Sequence, residues 1–485
     1  MWAFVFSLIA GTSLVVGGGV IILSTTYGYR VLFSLAGACF AGALVAIAIP
    51  CTVAKVIRCI AHLRWWHGLW FLVFLSGLVF RIRSAGASVE NPLDPWASYR
   101  IGLMWFVAIV LLGAALSRRV NWVGAMFRGY LGLMTAYGLI SLASSAWSVY
   151  PLWSAYKSLE YLVDLALAAA IVISVRTDTD LKSLFDLFWL LIGVQVAVVW
   201  LGVLIWPSQT VQRGVGLVGL QIQGVLPTVS TDEVGTLGMY LSLVGVARAC
   251  IFPRDKVLYT AILLGGLVTL FFAQARAPLV ALLSAVLLTF VVTRRLSLLM
   301  GFAILVMSVA AITNGWLLFQ EYFLRGQSPA LFWSLSGRVT WWQEALPFIL
   351  RSPVLGNGAY VGRFLSLASH GEEFTSSLHN TWIEILIGTG LLGLLPVMAA
   401  VLGAWKTLLN DSAGGWLGGR SSELRAEGFL VLVVLSIRSM VTPAFIWHPP
   451  NEFLLVLICS ELLRRRIRIV QRERLSVGRL GLSTV

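Results

Sequence analysis

Apolar runs long enough to cross a bilayer recur along almost the whole of this 485-residue chain, and they restrict the folds open to it. A helix needs about 17–25 predominantly apolar residues to span the hydrocarbon core. Inside that core every backbone polar group must find its partner within the protein, so the runs must be helices or closed barrel strands. Stretches such as Val431–Leu435 do not alternate in polarity, which excludes a barrel. The expected spans lie near 2–24, 31–53, 65–80, 101–117, 123–144, 158–175, 184–206, 236–252, 257–273, 277–293, 297–318, 380–405, 427–447 and 452–463. The predicted fold class is therefore all-α, a polytopic transmembrane bundle of about 12–14 spans. Charged residues make up only 12% of the chain, too few to clothe a soluble domain. The first apolar run has no basic leader or clean cleavage site and reads as a retained helix.

Orientation follows the Lys/Arg bias. The tail from Arg464 to Arg479 holds seven arginines and no lysine, which places it in the cytoplasm. Alternating sides from there puts about twice as many Lys and Arg on the inner side as on the outer, with both termini inside. The net charge of +14 is then explained by insertion and by anionic membrane lipids, and no nucleic-acid partner is expected. None of the five cysteines falls in an outer loop, so no disulfide framework is expected. Three regions result: N-terminal transmembrane helices (1–144), a second transmembrane region (145–463) with a long outer loop at 319–378, and a basic cytoplasmic tail (464–485).

Two outer segments, 207–235 and 319–378, exceed plain connectors and are where chemistry is expected. In the second, Ser336-Gly337-Arg338 precedes Val339–Leu350, a stretch that reads as an interfacial helix with its aromatics at headgroup depth. Pro353 and Gly356-Asn357-Gly358 turn the chain. His379-Asn380 then runs into a membrane helix. At about 100° per residue, Gly390 and Gly393 lie within about 20° and 40° of His379, so the histidine is expected above a small-residue groove that packs a neighbouring helix. Thr381-x-x-Glu384 reads as a capping box, and Asp178-Thr179-Asp180 as a short inner loop rather than a metal site. No metal site is expected, since the outer histidines lack acidic or cysteine partners at ligand spacing.

His379-Asn380, nine residues, Gly390, two residues, Gly393 resembles the His-[Asn/Ser/Gln]-x9-Gly-x-x-[Gly/Thr/Tyr] signature of the O-antigen ligase family, whose superfamily includes the O-antigen polymerases. Gln274-Ala275-Arg276-Ala277, Ser336-Gly337-Arg338 with Trp342, the Pro353–Gly358 turn and Ile437-Arg438-Ser439 are also similar. The resemblance covers roughly 200–463. It implies a C-type glycosyltransferase fold (GT-C-like) in the bacterial inner membrane with its active site on the outer, periplasmic face. The implied reaction transfers a polyprenyl-diphosphate-linked glycan to an acceptor hydroxyl, either on the lipid A–core or on another glycan. The implied roles are His379 as catalytic base, Arg276, Arg338 and Arg213 as diphosphate ligands, and no metal or other cofactor. Guanidinium forks suit phosphate oxygens, and a neutral imidazole suits a base near neutral pH. Arg438, within a span, is expected to face the bundle interior, in a structural pair or against substrate. The alternatives are a polymerase of the same superfamily and, from another class, a lipid-glycan flippase or transporter. The transporter reading predicts paired internal repeats, which the sequence does not display. A scaffold role in envelope assembly would explain the helices but not the motif.

Overall fold

The computed structural model describes residues 63–80, 95–117, 120–213, 220–251, 255–294, isolated positions between 297 and 324, 327–367, 377–410 and 420–481. The expected spans at 2–24 and 31–53, and most of 297–318, lie outside the described residues. The helices in chain order are α1 (Trp65–Ser76), α2 (Pro95–Leu116), α3 (Trp122–Met126), α4 (Gly129–Ala143), α5 (Pro151–Ser174), α6 (Asp178–Ile205), α7 (Thr231–Gly245), α8 (Lys256–Ala273) and α9 (Arg276–Val292). They continue with α10 (Pro329–Trp333), α11 (Arg338–Arg351), α12 (Gly362–Leu367), α13 (Thr381–Leu409), α14 (Arg420–Arg438) and α15 (Asn451–Gly481).

Among the described residues, four helices are both long and apolar enough to cross a membrane: α6, α8, α13 and the Ala97–Leu116 part of α2. Helix α9 is apolar but shorter. Other long helices carry charge that the bundle turns inward. Helix α5, for example, buries Lys157, Glu160 and Asp164 along 24 residues. Ionisable groups in such helices are tolerated when they pair inside the bundle, and Lys157 and Arg100 both bind Glu160 at 2.8 Å.

Several boundaries differ from the hydropathy reading. Helix α1 has only 12 residues and stops at Ser76, too short for the span expected at 65–80. The run at 123–144 is interrupted at Phe127 and Arg128, so Arg128 stands exposed between α3 and α4 rather than inside a span. The segment 207–235, expected to be more than a plain connector, opens on one short helical turn at Pro207–Thr210. It contains two small antiparallel hairpins, β1 (Val211–Arg213) with β2 (Leu220–Ile222), and β3 (Gly224–Val225) with β4 (Thr228–Val229). Ser230 and Glu233 then form a reciprocal capping box that starts α7 five residues before the expected span. Thr177 and Asp180 form another at the start of α6, which accounts for the Asp178-Thr179-Asp180 motif as a helix start. The tail expected as a separate basic segment continues α15 without a break to Gly481.

Helices α7 and α8 cross at glycine: a Cβ on Gly238 would strike the backbone of Gly266 and Leu270, and one on Gly266 would strike Gly238 and Ser242. Such close approach replaces the hydrophobic drive that lipid cannot supply. Gly235, near the start of α7, backs onto Ala275, at the start of α9. The first turns of α7 and α9 therefore share one end of the bundle. At the other end, Arg248 is buried between Glu427 of α14 (2.7 Å) and Asp186 of α6 (2.5 Å), and it also donates to the Tyr259 hydroxyl of α8. A buried guanidinium with all its partners in place fixes four helix ends in one arrangement.

Candidate functional site

The site is organised by the start of α13. The Asn380 Oδ1 caps it, accepting from Trp382 N at 3.0 Å and Ile383 N at 3.1 Å, while its Nδ2 donates to Met440 O at 3.0 Å. Thr381 N donates to Ser439 O at 2.9 Å, the Thr381 hydroxyl donates to Thr442 O at 2.7 Å, and Ala444 N donates to that hydroxyl at 2.8 Å. Helix α13 is thereby stitched to the chain that leaves α14. The expected Thr381–Glu384 capping box is not formed, because Asn380 is the better cap and Thr381 is already engaged with 442–444. Glu384 is buried and accepts from Leu378 N at 2.6 Å instead. That contact serves the amide of Leu378 just before the helix.

Between the fixed residues Leu378 and Asn380, His379 adopts a left-handed backbone (φ 53°). Histidine is among the few residue types enriched there, and such conformations persist where the surroundings over-determine them. Its ring stacks on Trp341 (centroids 5.8 Å apart, planes 29° apart). Neither ring nitrogen has a hydrogen-bond partner among the described residues, and the residue is half-buried. Burial and the nearby Arg338 guanidinium pull its pKa down to about 4, with Asp232 acting in the opposite direction. Both causes penalise the imidazolium. Near neutral pH the ring is uncharged and has a lone pair to offer.

Arg338 opens α11. Gly337 (φ 88°) precedes it, and no side chain caps this helix start. Its guanidinium donates to Val441 O at 3.1 Å, on the same 439–444 segment that holds Asn380 and Thr381. Trp342 donates to Leu378 O at 2.9 Å. Trp341, Phe348 and Ile349 pack onto a small core of Ala345, Leu378 and Ile387. The apolar face of this helix, expected at headgroup depth, thus rests largely on the protein beneath His379.

His379 stacks on Trp341 of α11, the helix that Arg338 opens, and the Arg338 guanidinium acts electrostatically on the ring. Arg438, the last residue of α14, pairs at 3.7 Å with Asp232 in the first turn of α7. Arg276, first in α9 after the left-handed Gln274, donates to Leu324 O at 3.1 Å and Gln327 Oε1 at 2.7 Å and lies over Phe332 at 5.4 Å. It braces the chain leading into α11. Arg213 ends β1, in register with Leu220. That hairpin stands on the α8–α9 turn, because Gln274 donates to Leu220 O at 2.6 Å and Gln221 donates to Ala273 O at 2.8 Å.

Gly390 and Gly393 do not form one continuous groove below His379. His379 lies outside the helix, and α13 is broken at Gly390 (φ 60°, ψ −157°), so the angular count from 379 does not carry through. The Pro353–Gly358 turn enters the break. Leu391 N and Leu392 N donate to Pro353 O and Val354 O, and Asn357 N and Gly358 N donate to Ile387 O and Gly388 O, all at 2.8–3.1 Å. A Cβ on Gly390 would collide with the backbone of Pro353 and Val354. Gly393 does meet a neighbouring helix, through Tyr137 of α4.

Residues 261–398 match the family model of the O-antigen ligases. The matched segment contains Arg276, Arg338, His379, Gly390 and Gly393, whereas Arg213, Asp232 and Arg438 lie outside it. With the apolar helices, this match identifies a multi-pass membrane protein of O-antigen ligase-like or polymerase-like function. No curated protein matches the chain. Sequence reasoning passed over Asp232 and read Trp341 only as one of the aromatics at headgroup depth, not as the ring against His379. The Ser230-Thr231-Asp232-Glu233 start would have revealed the first, since a capping box places Asp232 in a first helical turn on the same side as His379.

Proposed function

We propose that this protein is a membrane glycosyltransferase of the O-antigen ligase type, acting on a polyprenyl-diphosphate-linked glycan at the outer face of the inner membrane. The observation that carries this reading is His379. It is a neutral, half-buried imidazole with both ring nitrogens free among the described residues, held beside Arg338 within the matched domain. In the proposed reaction, His379 takes the proton of an acceptor hydroxyl as that oxygen bonds to the anomeric carbon of the donor glycan. The bond from that carbon to the diphosphate oxygen breaks, and polyprenyl diphosphate departs with the electron pair. Arg338, with Arg276 and Arg213 on adjoining elements, offers charge to the departing diphosphate, where stabilisation counts most.

A lipid A–core sugar as acceptor makes the protein a ligase. The end of another lipid-linked repeat makes it a polymerase. The deciding experiment uses purified protein with a lipid-diphosphate glycan donor and each acceptor in turn. A glycan joined to lipid A–core supports the ligase, and lengthened lipid-linked chains support the polymerase. Donor moved across a vesicle bilayer without a new glycosidic bond would make the protein a flippase and refute the transferase reading. Transfer is expected to proceed unchanged in EDTA; loss of activity restored by Mg²⁺ or Mn²⁺ would contradict the metal-independent chemistry.

A further inference from the structure

Helix α8 has two apolar faces. Gly266 brings one of them against α7. The other is a stripe of Leu264, Leu267, Val268 and Phe271, gathered on one side by the helical period. With Leu279 of α9 and Tyr322, this stripe lines a cavity of about 440 Å³, a volume typical of a ligand pocket. Along the helix axis the stripe runs about 10 Å. Leu264 and Leu267 are 37% and 40% exposed among the described residues, so the cavity is open at the side of the bundle, where a membrane helix meets lipid. Tyr322, 8% exposed, belongs to its inner wall.

Two walls of this cavity lead to the same cation. Leu279 stands one turn into α9 from Arg276, the first residue of that helix. Tyr322 lies two residues before Leu324, whose carbonyl accepts from the Arg276 guanidinium at 3.1 Å. Cavity and cation both fall within the matched segment. An apolar slot that ends at a guanidinium, on the flank of a membrane bundle, is complementary to a long hydrocarbon chain with an anionic head.

We infer that this cavity seats the first isoprene units of the donor's polyprenyl tail, next to the diphosphate at Arg276. The inference rests on the transferase reading and adds a tail-recognition site to it. Lipid chains are as apolar as leucine side chains, so leaving the bilayer for the cavity gains little hydrophobic free energy. Packing decides instead. The methyl branches of an isoprenoid interdigitate with Leu267, Val268 and Phe271, and a chain that fits poorly forfeits those dispersion contacts. A tail seated in this way fixes where the diphosphate, and with it the anomeric carbon, stands for reaction, and small misplacements of reacting atoms are costly.

The test uses the full-length protein in proteoliposomes with its acceptor and two donors that carry the same glycan diphosphate. One donor has a polyprenyl tail and the other a straight saturated chain of equal length. Wild type should prefer the polyprenyl donor about tenfold or more in kcat/KM. Leu267→Trp fills the cavity and should bring the two donors close together, chiefly by slowing the polyprenyl one. A preference that is the same in wild type and in Leu267→Trp would overturn the inference, and so would its absence from wild type. A second measurement needs no turnover and covers a Leu267→Trp chain that fails to fold. Polyprenyl diphosphate with a diazirine on its first isoprene unit should label wild-type α8 between Leu264 and Phe271, or Leu279 of α9, and unlabelled polyprenyl diphosphate should compete. Labelling confined to other helices would overturn the tail site. Equal labelling of α8 by a diazirine phosphatidylglycerol, without competition, would also overturn it and make the cavity a seat for bulk lipid only. Labelling of α8 as expected, with no transfer from either donor, would instead count against the transferase reading and leave the tail site standing.

Discussion

Two histidines in this protein invite opposite conclusions from their hydrogen bonds. His448, in the chain between α14 and α15, contacts the Asp164 carboxylate through Nδ1 at 2.7 Å and the Ser76 hydroxyl through Nε2 at 2.8 Å. On paper this is a serine–histidine–acid arrangement. Yet Ser76 and Asp164 are 1% and 0% exposed, so no substrate reaches them. His379 makes no such ring contacts among the described residues and is half-exposed. A fully bonded, buried imidazole is a strut: His448 ties its chain to α1 and α5, alongside the Tyr161 hydroxyl donating to Phe445 O at 2.9 Å. A base must instead keep a nitrogen for the substrate. Accessibility and unused hydrogen-bonding capacity separate the two, and they favour His379 as the proposed base where triad geometry alone would favour His448.

The comparison breaks most easily at the two rings themselves. His379→Ala is expected to cost about 10²–10⁴ in transfer rate, the usual contribution of a general base, with melting behaviour in detergent unchanged. His448→Ala should show the reverse. Leaving the buried Asp164 without its partner costs about 1–3 kcal/mol or more, so the melting temperature and the folded yield fall while the rate per folded molecule stays near wild type. A low rate per folded molecule in His448→Ala would mean that the strut belongs to the site after all.

Smaller effects come from the cations around His379. Loss of one charge-assisted phosphate contact is worth about 1.5–3 kcal/mol, so Arg338→Ala and Arg276→Ala should each weaken donor binding about tenfold or more. Lysine should rescue only partly, since it keeps the charge but not the fork. Unchanged donor affinity in both alanine variants would remove the diphosphate role. The pH profile gives the finest resolution. With the pKa of His379 lowered to about 4, the base is present above that value and is lost as pH falls through it. Arg338→Ala removes one of the two lowering causes, so the acidic limb of kcat/KM should move up toward the ordinary histidine value of 6.5. A limb that stays put would show that burial alone sets the shift.

Much of the scaffold could be read from the chain because its apolar runs are bracketed by polar turns. The spans expected at 257–273, 277–293 and 380–405 correspond to α8 (Lys256–Ala273), α9 (Arg276–Val292) and α13 (Thr381–Leu409), marked off by Gln274-Ala275 and by Asn380. The hairpins in 207–235 were hidden because strands of two or three residues leave no alternation to detect. Gly390 misled for a related reason. In an apolar run a glycine reads as a packing surface, and only the arrival of Pro353–Gly358 shows it as an interruption. The pairing of Asp232 with Arg438 joins positions 206 residues apart, and no local pattern encodes that distance.

The interruption at Gly390 bears on how the protein is made. By hydropathy the 29 residues of α13 would enter the bilayer as one continuous rod. Within it, Leu391 and Leu392 have amide hydrogens that the break deprives of intrahelical acceptors, and these find Pro353 and Val354. Unpaired amides at membrane depth cost several kcal/mol each. The rod can kink only once the earlier turn has taken its place. Since 353–358 leaves the ribosome ahead of 390, synthesis delivers the guest before its socket. A protein in which that turn were moved C-terminal to α13 would have to insert a straight helix first and bend it afterwards, with His379 waiting on the outcome.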